Sequence, residues 1–197
     1  MKLGLMGGTF NPPHIGHLVC ATEACAQLGL DEVAFVPVNQ PPHKEIVGDP
    51  GVEVRVELTR RAVAGDSRFW VSRVDADVPG RSYTLDTLRR LHESSPADDL
   101  TFIMGGDMAH SLPTWHEPEQ VLSLATLGVA ERSGIRRADI VERLAGLSGA
   151  DKIRFFSMPR LDISSSDIRR RIAEGRPIRY LVPDPVAEYI AAEGFYA

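Results

Sequence analysis

The sequence predicts an α/β protein with a Rossmann-like, doubly wound and mainly parallel sheet that carries helices on both of its faces. Short apolar segments alternate along the chain with longer segments whose apolar residues recur at helical spacing. The chain has no internal repeat and no low-complexity tract. We therefore expect a single domain over residues 1–197, with a C-terminal helical segment from about residue 164 packed on it.

The apolar segments and the helical periodicity place the individual elements. The predicted strands are Leu3–Met6, Val33–Val38, Phe69–Val74, Leu100–Met104, Leu127–Ala130 and Ile153–Ser157. The predicted helices are Leu18–Leu28, Val52–Ala64, Leu85–His92, Ser165–Glu174 and Pro183–Glu193. Residues 37–51 are rich in proline and glycine and are predicted to form a long loop, which in a compact domain is usually functional or disordered.

Composition and charge restrict the class of partner. Hydrophobic residues make up 43% and charged residues 25% of the chain, as in an ordinary globular enzyme. The net charge of −5 argues against a nucleic-acid partner but allows a locally positive site for a small anion. No apolar segment is long enough to predict a membrane span. Cys20 and Cys25 are interpreted as buried thiols in a reducing cytoplasm, and the sequence is compatible with a homo-oligomer.

The loop after the first predicted strand combines two glycines with two histidines. Gly7 and Gly8 let the backbone turn sharply and approach a ligand closely. His14 and His17 are three residues apart, so both imidazoles lie on one side of a helix that opens near them. The free N–H groups of that helix favour an anion, so we interpret the loop as a phosphate site. The alternatives are a plain turn with structural histidines, or a two-histidine metal site without a nearby third ligand.

Two later segments carry polar groups to the same edge of the predicted sheet. Pro41–Lys44 places a lysine where it can contact phosphate, unless it stays in solvent. Gly105, Gly106 and Asp107 follow the fourth predicted strand and suit a ribose, or else form a turn with Asp107 as a helix cap. Trp115 comes next, and an isolated tryptophan is more often a core residue.

Two further segments have the pattern of helix starts. Ser82–Leu88 has Ser or Thr as the expected cap and Asp86 in the first turn. Ile163–Arg169 has a serine cap with Asp167 following, which is close to a capping box. Ser165 and Arg169 share a helix face and could hold a second phosphate group. Arg170 and Arg171 are interpreted as a solvated basic face.

Together these motifs resemble the bacterial nicotinate-nucleotide adenylyltransferases of the HxGH nucleotidyltransferase superfamily. The resemblance rests on five segments in order: Gly7–His17 with its His-Ile-Gly-His ending, Pro41–Lys44, Ser82–Leu88, Gly105–Asp107 and Ile163–Arg169. Class I aminoacyl-tRNA synthetases share the histidine motif, but this chain is short and lacks a Lys-Met-Ser-Lys-Ser stretch.

The resemblance implies transfer of the adenylyl group of ATP to nicotinate mononucleotide in NAD biosynthesis. Deamido-NAD and pyrophosphate would form by direct in-line attack, with Mg²⁺ bound through the ATP phosphates and no metal ligands in the protein. The implied catalytic residues are His14, His17, Lys44 and Arg169. The implied ATP-binding residues are Gly7, Gly8, Thr9, Phe10, His14, His17, Gly105, Asp107, Ser164, Ser165 and Arg169. The implied mononucleotide-binding residues are Asn11, His43, Lys44, Ser82, Tyr83, Thr84, Trp115 and His116.

Three other functions stay open at this point. A sister enzyme could act on phosphopantetheine or use CTP with an alcohol phosphate, although Ser82–Thr84 and Trp115 argue against it. A nucleotide-binding regulator without catalysis would not need the complete set of histidine, lysine and arginine side chains. A Rossmann redox protein is disfavoured because no Gly-x-Gly-x-x-Gly follows the first strand.

Overall fold

The computed structural model describes residues 1–42, 45–131 and 135–197, and within these ranges the strands form one parallel sheet. The strands are β1 (Lys2–Gly8), β2 (Glu32–Pro37), β3 (Phe69–Val71), β4 (Asp99–Gly105), β5 (Thr126–Glu131) and β6 (Ile153–Ser157). Their order across the sheet is β3-β2-β1-β4-β5-β6. The predicted strands are confirmed, with β3 ending three residues earlier than expected.

The helices connect these strands in the alternating order that the sequence predicts. They are α1 (Ile15–Leu28), α2 (Val52–Val63), α3 (Thr84–Ser94), α4 (Gly106–Ser111), α5 (Pro118–Leu124), α6 (Arg137–Leu144), α7 (Ser165–Ala173) and α8 (Asp184–Glu193), with 3-10 turns at Leu112–Thr114 and Ala150–Lys152. The sequence analysis missed α4, α5 and α6. They have only six, seven and eight residues, which is too short to show a clear helical periodicity.

Apolar residues cover both faces of the sheet. On one face, Leu3 and Leu5 of β1 pack with residues of α3 to α6. On the other face, Met6 packs with Ala21 and Ala24 of α1. Successive strand residues point to opposite faces, so one short strand supplies both cores. The doubly wound fold with helices on both faces is thereby confirmed.

A third apolar cluster joins the C-terminal helices to α2. Leu58 and Ala62 of α2 pack against Ile168 of α7 and against Val186 and Ile190 of α8. This cluster places the N-terminus of α7 beside the loop that follows β1. In the described ranges, no helix combines the length and the apolar character that crossing a bilayer requires.

The strand order reverses between β1 and β4, the first strands of the two halves of the sheet. Loops that leave two neighbouring strands at such a point run in opposite directions and open a crevice. Gly7 and Gly8 end β1, and Gly105 ends β4. The glycine-containing motifs therefore meet at the one edge where this fold binds ligands.

Candidate active site

A cleft of about 930 Å³ opens at this switch point and is bordered by the segments that follow β1, β4 and β6. All of the residues predicted to bind ATP except Gly8 and Phe10 line it: Gly7, Thr9, His14, His17, Gly105, Asp107, Ser164, Ser165 and Arg169. The histidines and Arg169 thus face one cavity, although 152 residues separate His17 from Arg169 along the chain. Cys20 lines the same cleft and is only partly buried, so the prediction of a buried thiol is correct for Cys25 and wrong for Cys20.

His14 and His17 form a stacked pair at the start of α1. His14 is the N-cap residue, and the two ring centroids are 3.8 Å apart with planes inclined by 30°. The backbone N–H of His14 donates to Nδ1 of His17 over 3.2 Å. Because Nδ1 accepts this hydrogen bond, the neutral His17 ring carries its own proton on Nε2. The prediction that both imidazoles share one side of the helix start is confirmed.

The neighbours of this pair fix its shape. A Cβ on Gly16 would lie 3.1 Å from the His14 ring, so the glycine between the histidines makes room for that imidazole. Phe10 is 1% exposed and packs edge-on against the His17 ring with centroids 5.1 Å apart. Gly8 in turn lies beneath Phe10, since a Cβ there would come within 3.1 Å of the phenyl ring. Phe10 and Gly8 therefore lie behind the cleft surface and support His17 from below.

The N-terminus of α1 is less open than the sequence analysis expected. The N–H of Ile15, the first helical residue, donates to the carbonyl of Leu181 over 3.0 Å. The N–H of His17 donates to the carbonyl of His14. The prediction that this helix offers its free N–H groups to an anion is therefore wrong for these two groups. Both imidazoles of this turn line the cleft.

Helix α7 brings a hydroxyl and a guanidinium to the same place. Ser164 caps the helix, its Oγ accepting the N–H of Asp167 over 3.1 Å, as predicted. Ser165 Oγ donates to the carbonyl of Pro12 over 2.8 Å, and Nη1 of Arg169 donates to the carbonyl of Asn11 over 2.7 Å. These two bonds attach α7 directly to the loop between β1 and α1, residues 9–14, which we call the histidine loop.

The other two arginines of α7 face an acidic neighbour instead of the cleft. Arg170 and Arg171 both pair with the carboxylate of Asp167. The hydrogen bond from Arg171 is the main cause that holds the pKa of Asp167 below its usual value. Arg170 remains largely exposed. The interpretation of these two residues as a solvated basic face therefore holds for Arg170, whereas the side chain of Arg171 is only 27% exposed.

The loop expected after β4 is a helix start. Gly105 is the N-cap of α4, and Asp107 lies in its first turn rather than at the cap position. A Cβ on Gly106 would lie 3.2 Å from the side chain of Ile140, so this glycine lets α4 pack closely on α6. Asp107 and Gly105 nevertheless line the cleft as the sequence predicts.

Among the residues predicted to bind the mononucleotide that the structure describes, Asn11 alone lines the main cleft, and the others lie apart from it. Ser82 and Tyr83 lie beside the end of β2. Ser82 Oγ accepts the N–H of Asn39 over 3.1 Å, and Tyr83, not a serine or threonine, is the N-cap of α3. The expected hydroxyl cap is therefore wrong, because the hydroxyl of Ser82 is used to join two loops. Thr84 is the first residue of α3.

Trp115 and His116 are two further residues of this set. The Trp115 indole N–H donates to Ser111 Oγ over 3.1 Å, and its ring packs edge-on against Phe102 with centroids 6.3 Å apart. Phe102 is the ring that a Cβ on Gly7 would touch at 3.4 Å, so Trp115 lies one side chain behind the floor of the cleft. His116 is exposed, with its ring 5.6 Å from that of Tyr83.

His43 and Lys44 lie outside the described residues. The segment that follows them lines the cleft with Glu45, Ile46 and Val47. The Nδ2 of Asn11 donates to the carbonyl of Val47 over 3.1 Å. The loop that carries the predicted lysine therefore reaches the histidine loop.

Arg55 is an important residue whose contacts sequence reasoning missed. Its side chain is 0% exposed, and its guanidinium donates to the carbonyls of Thr9 (3.0 Å), Val38 (2.7 Å) and Asn39 (3.0 Å). Its Nε also pairs with Asp49 over 2.9 Å. One buried cation thus joins the loops after β1 and β2. The sequence pattern that could have indicated this role is the position of Arg55 three residues before the apolar Leu58, which places both on the buried face of α2.

Comparison with known proteins agrees with this geometry. The sequence pattern of the cytidylyltransferase-like family matches residues 5–171. A protein of Thermomicrobium roseum named as a probable nicotinate-nucleotide adenylyltransferase is 44% identical, over 99% of this chain and 91% of its own length. A protein of the same name from Thermus thermophilus is 43% identical over the full length of both chains. The chain belongs to the nicotinate-nucleotide adenylyltransferase family.

Solved structures from this family share the fold. The nicotinic acid mononucleotide adenylyltransferase of Plasmodium falciparum complexed with NaAD superposes with a TM-score of 0.81, at 18% identity over 99% of this chain and 97% of its own. A putative nicotinate-nucleotide adenylyltransferase from Vibrio parahaemolyticus gives a TM-score of 0.71 at 21% identity, over 100% of this chain and 96% of its own. At these identities the likeness extends to the adenylyltransferase fold alone.

Proposed function

We propose that this adenylyltransferase joins ATP and nicotinate mononucleotide, forming deamido-NAD and releasing pyrophosphate. The observation that carries the proposal is that His14, His17 and Arg169 line one cleft at the switch point of the sheet. A triphosphate placed there would meet imidazoles from the start of α1 and a guanidinium and hydroxyls from the start of α7. Membership of the adenylyltransferase family supports the same reaction.

The reaction needs positioning and charge stabilisation more than it needs a nucleophile from the protein. The phosphate of the mononucleotide is an anion at neutral pH and can attack the α-phosphorus in line. The bond to the β-phosphate breaks and the electron pair leaves with pyrophosphate. The cleft must therefore hold two anions together and stabilise the charge that moves to the leaving group.

His17 is suited to donate a hydrogen bond in this step. The bond from the His14 backbone to Nδ1 fixes the tautomer, so that Nε2 carries the proton, and Phe10 and His14 hold the ring between them. A donor that is fixed in advance stabilises developing charge without the cost of reorienting during the reaction. Arg169 supplies a permanent positive charge from α7, and its Nη1 is held by the carbonyl of Asn11.

The donor set of the cleft fits Mg²⁺ that is bound chiefly through the substrate. Within the described ranges, no three histidine, cysteine or carboxylate side chains are grouped to hold a metal ion. Mg²⁺ commonly keeps several waters and binds through phosphate oxygens, so such a group is not needed. The ion would neutralise charge on the β- and γ-oxygens, and Asp107 is the carboxylate of the first turn of α4 that lines this cleft.

The mononucleotide would lie on the β2 side of the switch point. Ser82–Thr84, Trp115 and His116 are proposed to contact it there, with His43 and Lys44 from the intervening loop. Support comes from the contacts between Asn39 and Ser82 and between Tyr83 and His116, which bring these segments to one side of the sheet edge.

Pyrophosphate release from ATP and Mg²⁺ with a panel of acceptors tests the proposal. Nicotinate mononucleotide, nicotinamide mononucleotide and 4′-phosphopantetheine are assayed in parallel, with CTP replacing ATP in a second series. We expect the highest kcat/KM for nicotinate mononucleotide with ATP. A preference for phosphopantetheine or for CTP would instead assign the chain to a sister activity, and an absence of turnover with every pair would contradict catalysis.

A further inference from the structure

A hydrogen bond connects the segment after α8 with the histidine loop. The hydroxyl of Tyr196 donates to Oδ1 of Asn11 over 2.7 Å, and 185 residues separate the two along the chain. Asn11 is 1% exposed, so this bond is made to a buried amide. Tyr196 has a φ of 67°, a left-handed conformation that a tyrosine rarely adopts. The structure thus holds Tyr196 in an unfavourable backbone conformation while its hydroxyl bonds Asn11.

The contacts of Asn11 reach two parts of the cleft. Its Nδ2 donates to the carbonyls of Val47 (3.1 Å) and Gly48 (3.4 Å), and its own carbonyl accepts Nη1 of Arg169. An amide group can present its oxygen in only one direction while its nitrogen points in the other. By fixing Oδ1, the Tyr196 hydroxyl therefore also fixes the direction in which Nδ2 points.

These contacts assign a different role to Asn11 from the one that the family resemblance implied. Both ends of its side-chain amide are bonded to the protein, to Tyr196 on one side and to the segment at residues 47–48 on the other. That segment continues the loop that carries the predicted Lys44. The guanidinium of Arg169 lies against Gly48, where a Cβ would come within 3.7 Å of Nε. Asn11 is thus the centre of a junction between the histidine loop, the 45–48 segment and α7.

We propose that Tyr196 is a positioning residue for adenylyl transfer, acting through Asn11 on the 45–48 segment and on Arg169. The inference rests on the proposed function, because it assigns a role in that same reaction. Burial raises the pKa of the Tyr196 hydroxyl, so it stays protonated as a donor throughout the pH range in which the enzyme would work. Its aromatic ring packs with Phe195 in the third apolar cluster, whereas its hydroxyl bonds Asn11. The ring and the hydroxyl therefore have different partners and can be tested separately.

The test removes the hydroxyl and keeps the ring. Tyr196→Phe is expected to lower kcat/KM for the mononucleotide about tenfold, the size of effect that loss of one hydrogen bond produces. Tyr189→Phe is the matched control, because Tyr189 also packs on Phe195, and it should retain the wild-type value. Each variant is assayed at least ten degrees below its own unfolding midpoint, measured by circular dichroism, so that the rates refer to folded protein.

A double-mutant cycle separates positioning from general stability. In an Asn11→Ala background, Tyr196→Phe should change kcat/KM less than about twofold, because the group through which it acts is gone. Full additivity, or a wild-type kcat/KM for Tyr196→Phe, would overturn the proposal. If Tyr196→Phe does not fold, the activity of Asn11→Asp tests the proposed junction instead. It keeps an acceptor for the hydroxyl and loses the donor to Val47, so undiminished activity would refute the junction.

The wild-type control distinguishes the two proposals. A wild-type protein without turnover on any mononucleotide would refute the proposed function. An active wild type with an equally active Tyr196→Phe variant would refute only the role of Tyr196.

Discussion

The imidazole of His14 stacks on that of His17 with centroids 3.8 Å apart, and the backbone N–H of His14 donates to Nδ1 of His17. One residue therefore fixes both the position and the tautomer of its neighbour. The short spacing of the HxGH motif is required for this, because a helix N-cap and the third helical residue are the positions that meet across the first turn.

Replacing His17 should separate catalysis from folding. His17→Asn keeps an acceptor close to the position of Nδ1 and leaves nothing in place of Nε2–H. We expect kcat to fall about 100-fold or more, since that is the usual effect of losing one charge-stabilising donor. Steady-state kinetics and circular dichroism measure the two properties. His92→Asn, on the exposed part of α3, is the control, and a turnover near normal for His17→Asn would contradict the role of this imidazole.

Gly16→Ala should disturb the same pair from the other side. The new methyl group would lie 3.1 Å from the His14 ring, so the ring must shift by a few tenths of an ångström. We expect kcat to fall while the melting temperature changes little, because alanine favours the helix that the glycine weakens. Gly65→Ala is the control, as no atom lies within 4 Å of its added Cβ. An unchanged kcat in Gly16→Ala would show that the stacking distance is not important.

Arg55→Met should destabilise the protein strongly. It removes the donors to the carbonyls of Thr9, Val38 and Asn39 and leaves those acceptors without their buried partner. We expect the free energy of unfolding to fall by about 3 kcal/mol, measured by urea denaturation. Arg61→Met on the same helix removes a half-exposed ion pair with Glu57 and a cation–π contact with the Tyr189 ring, and should cost no more than about 1 kcal/mol. Equal losses in the two variants would contradict the role of Arg55.

Asp75 should make stability depend on pH. Burial raises the pKa of this carboxyl, whose oxygens accept Thr87 Oγ1 at 2.8 and 2.9 Å. The folded state therefore binds its proton more tightly than the unfolded state. Stability is lost as the pH rises from the unfolded pKa of about 4 through the higher folded value. The unfolding free energy of the wild type minus that of Asp75→Asn should decrease over that interval. Parallel curves from urea denaturation at a series of pH values would contradict this.

The sequence sufficed for the sheet and for most of the residues predicted to bind ATP, which line the cleft, because both are encoded locally. Apolar, β-branched segments mark the strands, and the glycine and histidine motifs follow β1 and β4 directly. The sequence did not reveal that the N–H of Ile15, at the start of α1, already has a hydrogen-bond partner. That partner is the carbonyl of Leu181, which is far away along the chain. The contacts of Arg55 and Tyr196 were missed for the same reason. Their partners lie on distant segments, mostly as backbone carbonyls that every residue carries.

The contacts of Leu181 with Ile15 and of Tyr196 with Asn11 also affect when the protein can complete its fold during synthesis. The groups that bond Ile15 and Asn11 are synthesised more than 160 residues after Ile15 and Asn11 themselves. The sheet can begin to assemble during translation, but the cleft cannot take its finished shape until residues 181–196 have emerged. A nascent chain stalled at residue 171 would contain every motif of the family and still lack the two bonds that set the histidine loop in place.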